Sequence, residues 1–255
     1  MPYFALLDDA VSGRAVLFQN LQYSDRILSD GLNRLDGLNR LDGLLAQGWR
    51  RGLHLFLTAD YGFGLPLQNL PATESGTLAL HWFADKQNVD ADEWLAARED
   101  GSPAGISRPE ISRGHIEYLN DIAEIQAAIA RGDCYQINHT VRLHLSAYGD
   151  PVRLYRRLRQ PVPYAALACL PDEKNGQTWT LCFSPELFLN IRSDGLIATE
   201  PMKGTAPILN DGRDAERAAA LQSDPKNRAE NVMIVDLLRN DLGKIAQTGG
   251  VRVPE

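Results

Sequence analysis

Between Ile116 and Leu145 the chain changes its hydrophobic period, and that change rules out most of the folds open to it. In "HIEYLNDIAEIQAAIARGD" the residues Tyr118, Ile122, Ile125 and Ile129 recur at helical spacing, and Gly132 stands where a C-terminal cap belongs. The next stretch, "CYQINHTVRLHL", alternates instead: Tyr135, Ile137, His139, Val141, Leu143 and Leu145 against Gln136, Asn138, Thr140, Arg142 and His144. This pattern predicts a strand with one apolar face, and a polar face that is either solvated or the wall of a wet cleft.

The same reading extends along the chain. "YFALLDD" and "RAVLFQN" flank the turn-rich "DAVSG" and predict a hairpin. "GLHLFLTADYG" and "GTLALHWFAD" read as strands, and "VDADEWLAAR" as a short helix. Beyond Leu145 come helix "DPVRLYRRLRQ", strands "YAALACL", "TWTLCFS", "ELFLNI" and "LIATEP", and helices "DAERAAALQ" and "PKNRAENVMIVDLLRNDLGKIA". Runs of strands followed by helices, without strict alternation, argue for an α+β fold rather than a doubly wound sheet. The Gly/Pro/Ser patch from Gly101 to Gly105 suggests a division into a β-rich portion, 1–105, and a second portion, 106–255.

"GLNRLDGLNRLDGLL" repeats one hexapeptide, from Gly31 and again from Gly37. Each glycine inside a helix costs about 1 kcal/mol relative to alanine. Six residues also carry a helix about 240° past a full turn, so the second copy cannot keep its leucines on the face of the first. A local duplication in a surface helix explains it better than a functional repeat.

Composition excludes several classes. The 255 residues are 44% hydrophobic and 23% charged, as in ordinary globular proteins. A formal net charge of −7 disfavours binding to nucleic acid or to an anionic membrane surface. No uninterrupted apolar run approaches membrane-spanning length, and "MPYFALLDDAVSGR" lacks the pattern of a signal or transit peptide. The three cysteines, Cys134, Cys169 and Cys182, lack metal-type spacing and read as reduced thiols of a cytoplasmic protein.

Candidate chemistry is sparse outside a few carboxylates and one lysine. Phosphate-cradling loops, HExxH and GxSxG are absent. Among the five histidines, His139 falls on the apolar strand face, where a core role outweighs a catalytic one, and His144 on the polar face is undecided. Glu186, in "SPELF", is an acid beside apolar neighbours, a setting suited to acid–base work. In the last helix Asp224 is placed to N-cap and Pro225 suits the first turn. Asn227, Glu230, Ile234 and Leu238 then share nearby azimuths, which puts Glu230 at the edge of an apolar stripe. A glutamate there is structural or solvated more often than not, but as a ligand it suits Mg²⁺, which takes few protein carboxylates. Lys203 sits in "TEPMKGTAP", a stiff loop that would be either a solvated turn or a mount for a nucleophile.

Four segments, "GDCYQINHT", "FSPELF", "EPMKGTAP" and "RAENVMIVDLLRNDLGKIA", stand in an order that resembles the signatures of the chorismate-utilising enzymes. The resemblance covers roughly Ile116 to Glu255. It implies an α+β fold of two large antiparallel sheets packed face to face with helices outside, here only partly spanned. Members that form anthranilate carry alanine at the position of Lys203, within P-I-A-G-T. Members that form 4-amino-4-deoxychorismate carry lysine, and this chain reads "PMKGT".

The resemblance therefore implies a lysine nucleophile that adds to ring C2 of chorismate, lets the C4 hydroxyl depart, and is itself expelled when ammonia adds at C4. It requires a neutral amine, held so by desolvation or a nearby cation. It also implies Glu186 as the acid–base group, Glu230 as a Mg²⁺ ligand, and Gly204 and Thr205 as substrate-binding residues. Asp236, Arg239, Asn240 and Asp241 match the family's VDLxRND segment and read as structural. The implied partners are an amidotransferase subunit supplying ammonia from glutamine and, in some longer chains, a lyase domain. The family's later HLVS and GSxTGAPK segments, its carboxylate-gripping arginine and a second magnesium glutamate are not found in this sequence. An anthranilate-type activity and a truncated remnant without catalysis are the alternatives.

Overall fold

The computed structural model describes residues 2–29, 34–71 and 75–254. These residues form two compact units. The first comprises Met1–Asp8, Gly13–Gln160 and Ala166–Leu181, and the second Asp9–Ser12, Pro161–Ala165 and Cys182–Glu255.

The first unit is built around a six-stranded sheet. Its strands are β1 (Phe4–Asp9), β2 (Arg14–Leu28), β3 (His54–Ala59), β4 (Thr77–Asp90), β7 (Tyr164–Asp172) and β8 (Gly176–Ser184), in the order β3-β4-β2-β1-β7-β8. The predicted β1–β2 hairpin forms because Asp9 accepts the amides of Val11 and Ser12, closing the turn, and Gly13 takes a positive φ of 73°. β4 lies between β2 and β3, antiparallel to both. Alternation along β4 supplies two separate clusters, one from each parity of the strand. Leu78, Leu80 and Trp82 join Ile27 and Phe63, while Phe83 joins Ala5, Phe18, Ala168 and Leu170. Burying each such side chain contributes on the order of 1.5–3 kcal/mol.

Helix α1 (Arg34–Arg50) covers the first cluster with Leu41, Leu44 and Leu45. The second copy of the hexapeptide, with Gly37 and Gly43, lies within this helix, while Gly31 falls outside the described residues. The glycine that matters for packing is Gly48, where an added Cβ would lie only 2.2 Å from the Trp82 ring atoms Cη2 and Cζ3. Helix α2 (Tyr61–Leu67), which the sequence pattern did not reveal, brings Phe63 to the same cluster.

An ion pair fixes the far side of the sheet. Asp8, fully buried on β1, accepts from Arg159 Nε (2.7 Å), Arg159 Nη2 (2.8 Å) and the Tyr155 hydroxyl (2.8 Å). Arg159 and Tyr155 come from helix α5 (Pro151–Leu158) and its C-terminal residue, and Arg159 also meets Asp92 on helix α3 (Ala91–Ala96). Removing one partner of a buried pair like Asp8–Arg159 costs roughly 3–5 kcal/mol, because the other charge is left unpaired.

The same unit also contains helix α4 (His115–Arg131) and an antiparallel ribbon of β5 (Gly105–Ile111) and β6 (Leu143–Tyr148). α4 ends as expected at Gly132, with φ at 79°. The strand predicted from Cys134 is corrected: 134–142 has no regular structure, and extended pairing begins only at Leu143. Alternation alone is not enough here, because β5 reaches only to Arg142 through the Ser112 amide and hydroxyl, leaving the earlier residues without a strand to pair with. β5 itself occupies the Gly105 end of the patch read as a boundary.

The second unit holds the ribbon of β9 (Leu187–Ile191) and β10 (Ile197–Glu200), then α6 (Asp214–Ser223) and α7 (Pro225–Gly243). The α+β class expected from the sequence is what the chain adopts. The described residues contain one large sheet and two two-stranded ribbons. No described helix is long and apolar enough to cross a membrane. All three cysteines are free, and only Cys169 is fully buried.

Candidate active site

The β9–β10 ribbon sets the geometry of the site. Its antiparallel register pairs Ile197 with Ile191, Ala198 with Asn190 and Glu200 with Leu187, so the chain leaving β10 passes beside the residue before β9, Glu186. Ser184 locks that corner: its Oγ accepts the Glu186 amide at 3.3 Å and donates to the Glu186 carbonyl at 3.1 Å. The Glu186 carboxylate then accepts the amide of Met202 through Oε1 at 3.1 Å. Register and one hydrogen bond thus tie the acid to the loop that carries the neighbouring Lys203.

Beyond Lys203 the loop presses on the helices. Gly204 has φ of 79°, and a Cβ there would sit 2.7 Å from Asn227 Oδ1 and 3.1 Å from Leu221 Cδ1. Only glycine meets both conditions without strain. Asn227 is held for this contact by Asp224, the N-cap of α7, which accepts its backbone amide at 2.7 Å and its side-chain amide at 2.8 Å. One turn further lies Glu230, half-buried, on the partly covered face with Asn227, Ile234 and Leu238. Its only ion pair among the described residues is a loose one of 4.0 Å to Lys226.

The second unit therefore brings Glu186, Lys203, Gly204 and the first turns of α7 into one neighbourhood. Lys203 is half-buried, and its amine has no hydrogen-bond or ion-pair partner among the described residues. An amine without a carboxylate partner is free to approach a ligand. Thr205 is exposed, with its hydroxyl unpartnered among the described residues. Glu186 is exposed too, so the apolar residues beside it in sequence do not enclose it. Phe188 points away into solvent at 75% exposure, so the "ELF" run provides no apolar wall.

Two supports were not legible in the sequence. Asn227 looks like an ordinary helix residue, yet it is the surface against which Gly204 packs. Tyr164 donates to Glu200 Oε2 at 3.0 Å and so anchors the end of β10, three residues before Lys203. Asp224 at an N-cap position was the available signal for the first, whereas no spacing links Tyr164 to Glu200. Asp236–Arg239 (3.0 Å) and Asp241–Lys244 (2.7 Å) are pairs along α7 itself, consistent with the structural reading of that segment. His139 belongs to the first unit, with Nε2 3.5 Å from Asp121 Oδ2, and His144 is exposed on β6.

No group of three or more His, Cys, Asp or Glu side chains able to hold a metal occurs among the described residues. The donor set at Glu230 is a single hard carboxylate, which fits a Mg²⁺ ion whose other ligands come from substrate oxygens or water, and does not fit a cage made by protein alone.

Residues 69–255 match the model of the chorismate binding enzymes. The chain belongs to that family. It is 42% identical over 218 residues to aminodeoxychorismate synthase component 1 of Klebsiella aerogenes, a stretch that is 81% of this chain and 47% of the relative. The Escherichia coli K12 protein of the same name is 39% identical over 142 residues, 54% of this chain and 30% of the relative. An anthranilate synthase component 1 of Haloarcula marismortui is 37% identical over 145 residues, 56% of this chain and 28% of the relative. The aligned parts thus span about half, or less, of the length of these relatives.

Proposed function

We propose that the chain carries the nucleophile-bearing part of an aminodeoxychorismate synthase component 1, which replaces the C4 hydroxyl of chorismate by an amine to give 4-amino-4-deoxychorismate. The observation that carries this reading is the bond from the Met202 amide to the Glu186 carboxylate, which sets an acid beside an unpaired lysine. The similarity to relatives of that name supports it.

In this reading the Lys203 amine attacks ring C2, the ring double bonds shift, and the C4–O bond breaks. Glu186, as the acid, delivers a proton to the departing oxygen, and water leaves. Ammonia then adds at C4, the double bonds return, and the C2–N bond to Lys203 breaks. The stiff Pro-Met-Lys-Gly loop holds the amine near the ring, which lowers the entropic part of the barrier. Thr205 and the Gly204 backbone would contact the substrate. Glu230 would hold Mg²⁺, and the ion would supply charge neutralisation of a substrate carboxylate. A glutamine amidotransferase subunit would supply ammonia, in the cytoplasmic branch leading to p-aminobenzoate and folate.

The test is to supply chorismate, Mg²⁺ and ammonia and follow 4-amino-4-deoxychorismate by mass spectrometry. Lys203→Ala lowers its formation by ~10³-fold or more, as loss of a nucleophile does. Undiminished amination in that variant would sink the nucleophile assignment. Anthranilate as the product would favour the anthranilate-type reading, and silence from a folded wild-type chain would favour a non-catalytic remnant.

A further inference from the structure

Lys203 stands without a counter-ion only three residues from a carboxylate. Glu200 ends β10, and three residues of chain span at most about 11 Å, so these two long side chains are within reach of an ion pair. The pair does not form. Among the described residues the Lys203 amine has no partner, and the Glu200 carboxylate bonds elsewhere. An ion pair there would favour the protonated amine and so remove its nucleophilicity.

Two features turn Glu200 aside. The β9–β10 ladder is irregular at its end: Ala198 faces Asn190 but Glu200 faces Leu187, so three steps of β9 stand against two of β10. Such a bulge re-aims the side chain beside it. Glu200 Oε2 then accepts from the Tyr164 hydroxyl at 3.0 Å. Desolvation first, then that bond and the charges of Glu200 and Asp9, raise the pKa of Tyr164 above its usual value, so the phenol stays a donor at neutral pH. The other charged groups around the loop are already engaged. Glu186 accepts from the Met202 amide, Asp224 accepts from both Asn227 amides, and Lys226 and Glu230 face each other along α7. We propose that Tyr164 is a positioning residue that sequesters the Glu200 carboxylate and so keeps the Lys203 amine unpaired for attack. The proposal rests on the nucleophile reading above, and its test reads the amine itself rather than amination.

The chain is treated with acetic anhydride at a series of pH values, and acetylation of Lys203 is followed by mass spectrometry relative to the exposed Lys174. Tyr164→Phe is expected to slow acetylation of Lys203 near neutral pH by ~5-fold, the scale of an ion pair close to the surface, and to move its labelling profile to higher pH. Raising the salt concentration is expected to shrink that loss. Adding Glu200→Gln to Tyr164→Phe restores the parent's rate, a rescue that a general loosening of the loop would not give. Labelling of Tyr164→Phe at the parent's rate, or slow labelling that persists in the double variant, would each overturn the proposal. Undiminished amination by Lys203→Ala would end the nucleophile reading while the labelling series still decides whether Tyr164 holds Glu200 away from the amine.

Discussion

Helices α1 and α4 are both 17 residues long and both amphipathic, yet they have opposite fates. α1 lays Leu41, Leu44 and Leu45 on the Trp82 cluster, and Gly48 lets it approach the indole face. α4 presents Ile116, Leu119 and Ile129 without burying any residue. The same division runs through the described residues as a whole, since every fully buried apolar side chain falls within 4–104 or 152–170. Periodicity says where a helix is apolar; only a partner surface turns that stripe into stability.

That contrast can be broken most severely at Trp82, which is fully buried between α1 and the sheet. Trp82→Ala is expected to cost about 3–5 kcal/mol, read as the shift of a urea-unfolding midpoint. Unchanged stability would mean that α1 does not rest on this ring. The next effect tests the same core through pH. His81 is buried on β4 with its Nδ1 2.9 Å from Ser24 Oγ, and burial, helped by Arg26, lowers its pKa from 6.5 to about 4. The unfolded chain therefore takes up a proton near pH 6.5 that the folded chain refuses until near 4. Its contribution is fully present above pH 6.5 and is lost as pH falls toward 4, a change of about 3 kcal/mol. His81→Leu should flatten that part of the stability–pH curve, and an unaltered curve would refute the assignment.

A smaller effect is expected at the candidate site. Gly204→Ala places a side chain at positive φ against Asn227 and should cost about 1–3 kcal/mol of local strain. Because the strain falls on the loop rather than the core, faster proteolysis or hydrogen exchange around residues 201–208 should accompany it, and none elsewhere. At the bottom of the scale, Ile116→Ser on α4 should change stability by no more than about 0.5 kcal/mol, since nothing covers it. A loss comparable to that at Trp82 would erase the difference between the two helices.

Much of this arrangement could be read in advance. The helical spacing of Ile122, Ile125 and Ile129 located α4, and Gly132 located its end. Asp224 and Pro225 located the start of α7, and the half-buried stripe of Asn227, Glu230, Ile234 and Leu238 is the one that 3.6-residue spacing predicts. The failures have a common cause. The strand drawn from Cys134 stops short because a strand needs a neighbour, and beyond the contact of Arg142 with Ser112 none pairs with 134–141 among the described residues. Glu186 is open to solvent because adjacency in sequence to Leu187 and Phe188 does not enclose a side chain when alternate strand residues point apart.

Local sequence determined the elements, their caps and turns, the α+β class, and the identity of the residues that set this chain within its family, because each depends on a few adjacent side chains. The tertiary structure decided which apolar faces are covered and that Glu186 reaches the Met202 amide. It also decided that Gly204 must stay glycine because Asn227 stands against it. Those outcomes depend on strand register and on groups tens of residues apart, and no local pattern encodes either.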